Sequence, residues 1–295
     1  MRRTDLAAEA RELWSEGRAP QLPEGVNADE GFRQGCRVER LKIGSAAGAE
    51  ALGKPLGTYF TITPEAFLRR EESSFAETVS LLAACLRQLL KLDGNGSVLV
   101  AGLGNEAVTP DALGPKTLRH VLATRHLRSA YPAEFGSFRP VSAVCPGVTG
   151  NTGYESAELL RSLVKELHPS AVVTVDALAA RRLGRVCRTI QLSDSGIIPG
   201  SGVGNARKAL NRETIGVPVI AIGVPTVVDA GTLAADLTGM ANNGTSEMDE
   251  AAQKMMVTPR EIDAQIAELS RLIGYSIDLA LQNDLTVADI TALIG

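Results

Sequence analysis

The sequence predicts an α/β fold, a single domain in which a central, mostly parallel sheet carries helices on both faces. Two observations lead there. The runs SVLVA (97–101), AVVTV (171–175) and VPVIAIG (217–223) are short, unbroken and apolar, as strands buried on both sides are. Between them lie segments with the 3.6-residue spacing of amphipathic helices, and such alternation builds a sheet covered on both faces. With 295 residues, 44% of them hydrophobic, the chain can bury one large core.

Each element has its own signal. Residues 1–35, charged and rich in Pro and Gly, read as a helix start followed by an irregular lead-in. VERLKI (38–43) and GTYFTI (57–62) alternate as strands do. Thr63-Pro64-Glu65 puts proline at a first helical position. Phe75, Val79, Leu82, Leu86, Leu89 and Leu90 share one helix face, and Gly94 can end that helix. After SVLVA, a helix is expected over Pro115–Thr124, and another is marked by Leu160, Leu163, Val164 and Leu167. AVVTV then ends at Asp176, and TIQL (189–192) and VPVIAIG supply two more strands. In the segment 258–281, Thr258 caps a helix with Pro259 at N1 and Glu261 at N3, and Ile262, Ile266, Leu269, Ile273 and Ile277 form its stripe. The polar stretch 239–253 reads as a mobile loop.

Composition excludes several classes. The net charge is −4 with no basic block, which argues against nucleic acid as a direct partner. No run approaches the ~20 apolar residues of a membrane span. The start, MRRTDLAAEARELW, lacks the apolar core of a signal peptide. Cys36, Cys85, Cys145 and Cys187 are scattered, as reduced and mostly buried thiols of a cytoplasmic protein would be. There is no GxSxG elbow and no P-loop, and His120, His126 and His168 lack metal-ligand spacing, so no metal is assigned.

The loop Gly102-Leu103-Gly104-Asn105-Glu106-Ala107 follows a strand and matches a loose dinucleotide pattern. The acid that should hold a ribose about 20 residues on is missing, however. Arg125 would suit only NADP, and Pro110, Gly114 and Pro115 interrupt the helix that should face the pyrophosphate. No cofactor is expected, and an NADP-dependent oxidoreductase stands as the alternative from another class.

Carboxylates carry more chemistry. Asp111 follows one strand, Asp176 a second and Asp194 a third, and ligands of open α/β sheets gather at the carboxyl ends of strands. Each acid could instead cap a turn or helix. If they converge, neighbouring carboxyls share a proton, and such a pair can activate water and protonate a leaving amine. The glycines of PGSGVGN (Gly200, Gly202, Gly204) and of GVTGNTG (147–153) fit either tight turns or a cleft lined by backbone amides. The first loop, with Gly102, Gly104 and Asn105, is assigned to the cleft.

Longer motifs then become recognisable: RTDLAAEA, GKPLGTY, GLGNEAVTPDALGP, RPVSAVCPGVTGNTGYES, VDALAAR, QLSDSGIIPGSGVGN, IGVPTVVDA and MVTPREID. Together, in this order and over most of the chain, they resemble the spore germination protease family, which degrades small acid-soluble spore proteins. The resemblance implies an atypical aspartic-type endopeptidase related in fold to hydrogenase maturation endopeptidases, with Asp111 and Asp176 as the catalytic acids; Asp194 is a possible third. It implies residence in the forespore and spore core, a homotetramer, and a zymogen that cuts itself. Substrates of the family are cut within a segment like Thr-Glu-(Phe/Leu/Ile)-Ala-x-Glu, which Thr4-Asp5-Leu6-Ala7-Ala8-Glu9 resembles. Self-cleavage is therefore expected between Asp5 and Leu6, leaving residues 1–5 as a short pro-segment of a 1–295 peptidase domain. A non-catalytic binder of spore proteins with this fold is the remaining alternative.

Overall fold

The computed structural model describes residues 4–16, 21–92, 94–238, 255–282 and 284–294. Among the described residues nine strands form one sheet. They are β1 (Val26–Arg33), β2 (Cys36–Ile43), β3 (Gly57–Thr63), β4 (Val98–Gly102), β5 (Val141–Val144), β6 (Ala171–Ala180), β7 (Ile190–Ser193), β8 (Val219–Asp229) and β9 (Met256–Val257). Their order is β1-β2-β3-β7-β8-β6-β4-β5, with β9 paired to β8. The helices that frame the sheet and the site include α1 (Ala7–Glu16), α2 (Ala46–Leu52), α3 (Ser74–Leu90), α4 (Leu113–Leu118), α5 (Ser156–Leu167) and α6 (Ile262–Leu281).

The α/β architecture is the one the alternation predicts, but the sheet is mixed. β5, β4, β6 and β8 run parallel, whereas β1, β2, β3 and β7 pair antiparallel, as does β7 with β8. The reason lies in connection length. A parallel return needs a crossover of about a dozen residues or more, and the link 181–189 between β6 and β7 is too short for one. The lead-in before residue 36 also holds a strand that sequence reading misses. VNADEGFR is almost wholly exposed, so it carries no alternation, and it is recruited by a tight turn whose Gln34 and Gly35 both have positive φ.

Alternation along β4 divides the core. Val98 and Val100 pack with α3 and α6, through Leu82, Leu86, Leu272 and Ile273. Leu99 and Ala101 face the other way, onto Leu160 and Val164 of α5. A third cluster, of Ala7, Val26, Leu41, Ile43, Leu52 and Tyr59, joins α1 and α2 to the antiparallel strands. After β4 the chain crosses to β5 through α4, on the α6 side. It then returns over the opposite face, through α5, to β6 on the other flank of β4. Where strand order reverses in this way, a crevice opens at the carboxyl ends of the two strands.

Several boundaries differ from the sequence reading. β6 and β8 extend well beyond AVVTV and VPVIAIG, so Asp176 lies inside a strand and not at its end. The helix expected over Pro115–Thr124 closes at Leu118. α3 ends at Leu90 on Lys91, which takes up the left-handed conformation expected of Gly94. Thr258 does not cap α6: its hydroxyl donates to Thr226 O (2.8 Å), and the helix starts at Ile262. The expected loop at 239–253 lies outside the described residues.

α6 carries a buried acid. Asp278 accepts a hydrogen bond from Leu122 N (2.9 Å) through Oδ1, while its other oxygen is buried without a partner. Burial pushes this carboxyl up to about 8. An unfolded chain releases the proton near pH ~4. Between there and pH ~8 the folded chain holds a proton that the unfolded chain has lost, so stability falls as pH rises through that window. Thermal unfolding of Asp278→Asn between pH 4 and 8 should show a flatter decline than the parent, with the largest gain in Tm at pH 8.

Candidate active site

Asp111 is delivered by a loop that only small residues allow. A side chain on Gly102, at the end of β4, would run into the carbonyl of Gly114, and one on Gly104 (φ 108°) into the carbonyl of Asp111 itself. With both positions bare, Leu103 N reaches Val175 O (2.8 Å) and folds the loop against β6. The Asp111 carboxylate accepts the N–H of Asn105 (2.7 Å) from across this turn. Burial raises its pKa, and the Asn105 N–H works against that rise. The Ala107 N–H is likewise taken, by Asn105 Oδ1 (3.1 Å). Two amides that a phosphate would need are therefore used to shape the carboxylate loop.

Asp176 sits one residue beyond the last pairing of β6 with β4, Val175 with Gly102. It is 4% exposed and accepts the N–H of Ala177 (2.9 Å). Burial raises its pKa well above the ordinary carboxylate value, and the negative charges of Asp111 and then Asp5 add to the rise. The charge of the acid that follows β4 thus adds to the rise at the acid that follows AVVTV.

The third negative charge comes from the N-terminal segment, which lies along the part of β6 that outruns β4. Asp5 N donates to Ala179 O (3.1 Å), and the Asp5 carboxylate accepts from Ala179 N (2.9 Å) and from the Ser201 hydroxyl (2.6 Å). Any side chain on Gly202 would collide with this carboxylate. Leu6 is fully buried. Glu9 is also fully buried, and its carboxylate accepts the N–H groups of Arg181 (2.7 Å) and Arg182 (2.8 Å) and the Thr4 hydroxyl. Ion pairs strap α1 to the same turn: Arg181 with Glu16 (2.8 Å), Arg182 with Glu12 (3.0 Å) and Arg185 with Glu12 (2.5 Å). Lys54 Nζ donates to Thr4 O (2.9 Å). Burial lowers its pKa, against the opposing pull of Asp5 and Glu9.

The remaining candidates separate. Asp194 follows β7, but β7 runs antiparallel to its neighbour β8, so its carboxyl end points to the opposite edge of the sheet from the Asp111 loop. There Asp194 accepts the N–H of Thr58 (2.6 Å) and caps the start of β3, the turn-capping role open to it in the sequence. Gly200 and Gly204 have positive φ and bracket the short turn Ser201–Val203, whereas Gly202 lines a cleft that Gly102, Gly104 and Asn105, expected there, do not line and that Asp111 and Asp176 do not reach. That cleft, of about 780 Å³, extends from Asp5 past Gln191, Ser193, Tyr59 and Lys54 to the inner side of α1. Sequence reading missed Gln191, buried in mid-strand with nothing in TIQL to mark it. Among the described residues no group of three or more His, Cys, Asp or Glu is arranged to hold a metal ion. Cys36, Cys85 and Cys187 are buried and Cys145 is exposed, all four as free thiols.

Comparison with known proteins supplies first a class. A germination protease from Caldanaerobacter subterraneus subsp. tengcongensis is 42% identical over 320 aligned positions, covering 99% of this chain and 98% of that protein. One from Clostridium perfringens is 39% identical, covering 99% of each. A hydrogenase maturation protease, HycI of Thermococcus kodakarensis, aligns in structure at 17% identity over 65% of this chain and 98% of its own, with a TM-score of 0.36. The chain is a peptidase. More narrowly, the family model for germination proteases matches residues 5–243, and the chain belongs to that family, the endopeptidases of spore germination.

Glu9→Ala should cost about 2 kcal/mol of stability, since it leaves the buried Arg181 N–H and the partly buried Arg182 N–H without their acceptor. Denaturant unfolding measures this, and a loss below about 1 kcal/mol would mean that the segment is not held by this carboxylate.

Proposed function

We propose that Asp111 and Asp176 form an aspartic-type pair that hydrolyses peptide bonds, and that the Asp5–Leu6 bond of the chain itself is one substrate. The observation that carries this reading is the docking of Asp5 on Ala179 of β6, three residues beyond the buried Asp176. The environments of the two acids differ, which divides their roles. Asp176, more deeply buried and next to two negative charges, keeps its proton and acts as the acid. Asp111, half-buried with an N–H directed at its carboxylate, is the ionised partner and acts as the base.

In the forward step Asp111 takes a proton from water while the water oxygen bonds to the Asp5 carbonyl carbon. The carbonyl electrons move to its oxygen. As they return, the C–N bond breaks and Asp176 gives its proton to the Leu6 nitrogen. The products are a carboxyl at Asp5 and an amine at Leu6, with one water consumed. The family resemblance supports small acid-soluble spore proteins as substrates in trans, in the spore core, by a homotetramer made as a zymogen.

Asp111→Asn and Asp176→Asn should each slow cleavage of a Thr-Asp-Leu-Ala-Ala-Glu peptide by about 100-fold or more while the protein stays folded. Near-normal rates in both variants would remove the pair from the mechanism. Capture of the peptide by the parent without any cleavage would instead favour a non-catalytic binder. The parent's kcat should be bell-shaped in pH, falling at low pH as Asp111 is protonated and at high pH as Asp176 ionises, with limbs that belong to the coupled pair. N-terminal sequencing after incubation should read Leu6-Ala7-Ala8 for the parent and not for Asp176→Asn.

A further inference from the structure

Gln191 holds both sides of the Asp5–Leu6 peptide. Ala7 N donates to Gln191 Oε1 (2.7 Å), and Gln191 Nε2 donates to Asp5 O (3.2 Å). The orientation of the side-chain amide is fixed by its partners, because the Ala7 N–H can only donate and so must face the oxygen. Nε2 is left directed at the carbonyl of the Asp5–Leu6 bond. The residue is buried and comes from β7, the strand that runs against its neighbour.

The register explains how it reaches this position. Gly223 of β8 pairs with Asp176 on one side and with Gln191 on the other. Residues in one cross-strand row project to the same face, so the acid and the amide flank a position that has no side chain. Two strand spacings set them roughly 10 Å apart, and the Leu178 side chain reaches over Gly223 between them.

We infer that Gln191 is a catalytic residue, whose Nε2–H stabilises the negative charge that develops on the carbonyl oxygen of the cut bond. This rests on the reading of Asp5–Leu6 as a bond the enzyme cuts. As water adds to the carbonyl carbon, the oxygen gains the electron pair of the C=O bond, and the amide donor is already in line with it. A separation of 3.2 Å to the neutral carbonyl shortens as charge builds, which favours the transition state over the bound peptide. No proton leaves Gln191; the pair of carboxyls moves both.

Two variants of the full chain test the assignment, assayed on the Thr-Asp-Leu-Ala-Ala-Glu peptide. Gln191→Met removes donor and acceptor together. Gln191→Glu keeps an oxygen for the Ala7 N–H but sets a negative charge against the developing oxyanion. In both, kcat should fall about 100-fold or more; Gln191→Glu, which keeps the Ala7 contact, should hold KM within about threefold of the parent and unfold within a few degrees of it. A rise in KM or a drop in Tm with kcat unchanged would reduce Gln191 to a residue that fixes the segment, and would overturn the inference. Full activity of Asp111→Asn and Asp176→Asn would overturn the carboxyl pair whatever Gln191 does. Inactivity of those two with normal kcat in both Gln191 variants would overturn the Gln191 role alone.

Discussion

The site depends on one strand being longer than its neighbour. β4 ends at Gly102, and β6 continues from Asp176 to Ala180 without it. That overrun does several things at once. It carries Asp176 into the crevice where the strand order reverses. Its backbone supplies the Ala179 groups that bind Asp5, and the turn after it presents the two amides that bind Glu9. β8 on its other side pairs with the stretch through Ala180, with a shift of register between Leu178 and Ala179. Shorten β6 by one turn of pleat and the acid, the docking edge and the glutamate receptor all disappear together.

Electrostatically the region is a balance of buried negative charges against few direct positive ones. Glu9 is neutralised mainly by backbone dipoles, with Arg185 only at 4.0 Å. The partly exposed pairs of Arg181, Arg182 and Arg185 add orientation more than energy, since screened ion pairs contribute at most about 1 kcal/mol each. Asp5, by contrast, loads the neighbouring Asp176 with repulsion. The segment is thus bound firmly by its flanks, and its middle raises the proton affinity of the group beside it.

Much of this was legible in the sequence, for identifiable reasons. Asp111 and Asp176 are marked by the apolar runs before them and by a strand-end rule, although Asp176 lies inside β6 and only its pairing with β4 ends there. Asp194 obeyed the same rule and misled, because the rule assumes a direction for the strand. Nothing in TIQL states that β7 runs backwards; only its pairing with β8 does. The same reversal conceals Gln191, an ordinary polar residue inside a short strand. The hairpin strand β1 was illegible because its side chains meet solvent, so pairing and not patterning recruits it. Of the PGSGVGN glycines, only the collision between Gly202 and Asp5 separates a cradle from a turn.

The burial of Leu6 governs the fate of the chain ends that a cut would create. An amide nitrogen is uncharged and sits there with its hydrogen bond to the Thr4 hydroxyl (3.0 Å) satisfied. An ammonium at the same point would be a full charge at a fully buried residue, and a new carboxylate would add to the negative charges of Asp5 and Asp176. Charges of that kind are expensive to enclose, so the severed ends are driven apart and toward water. The chemistry would then act as a ratchet: a strand that docks well while whole becomes, once divided, unable to return to the place it left.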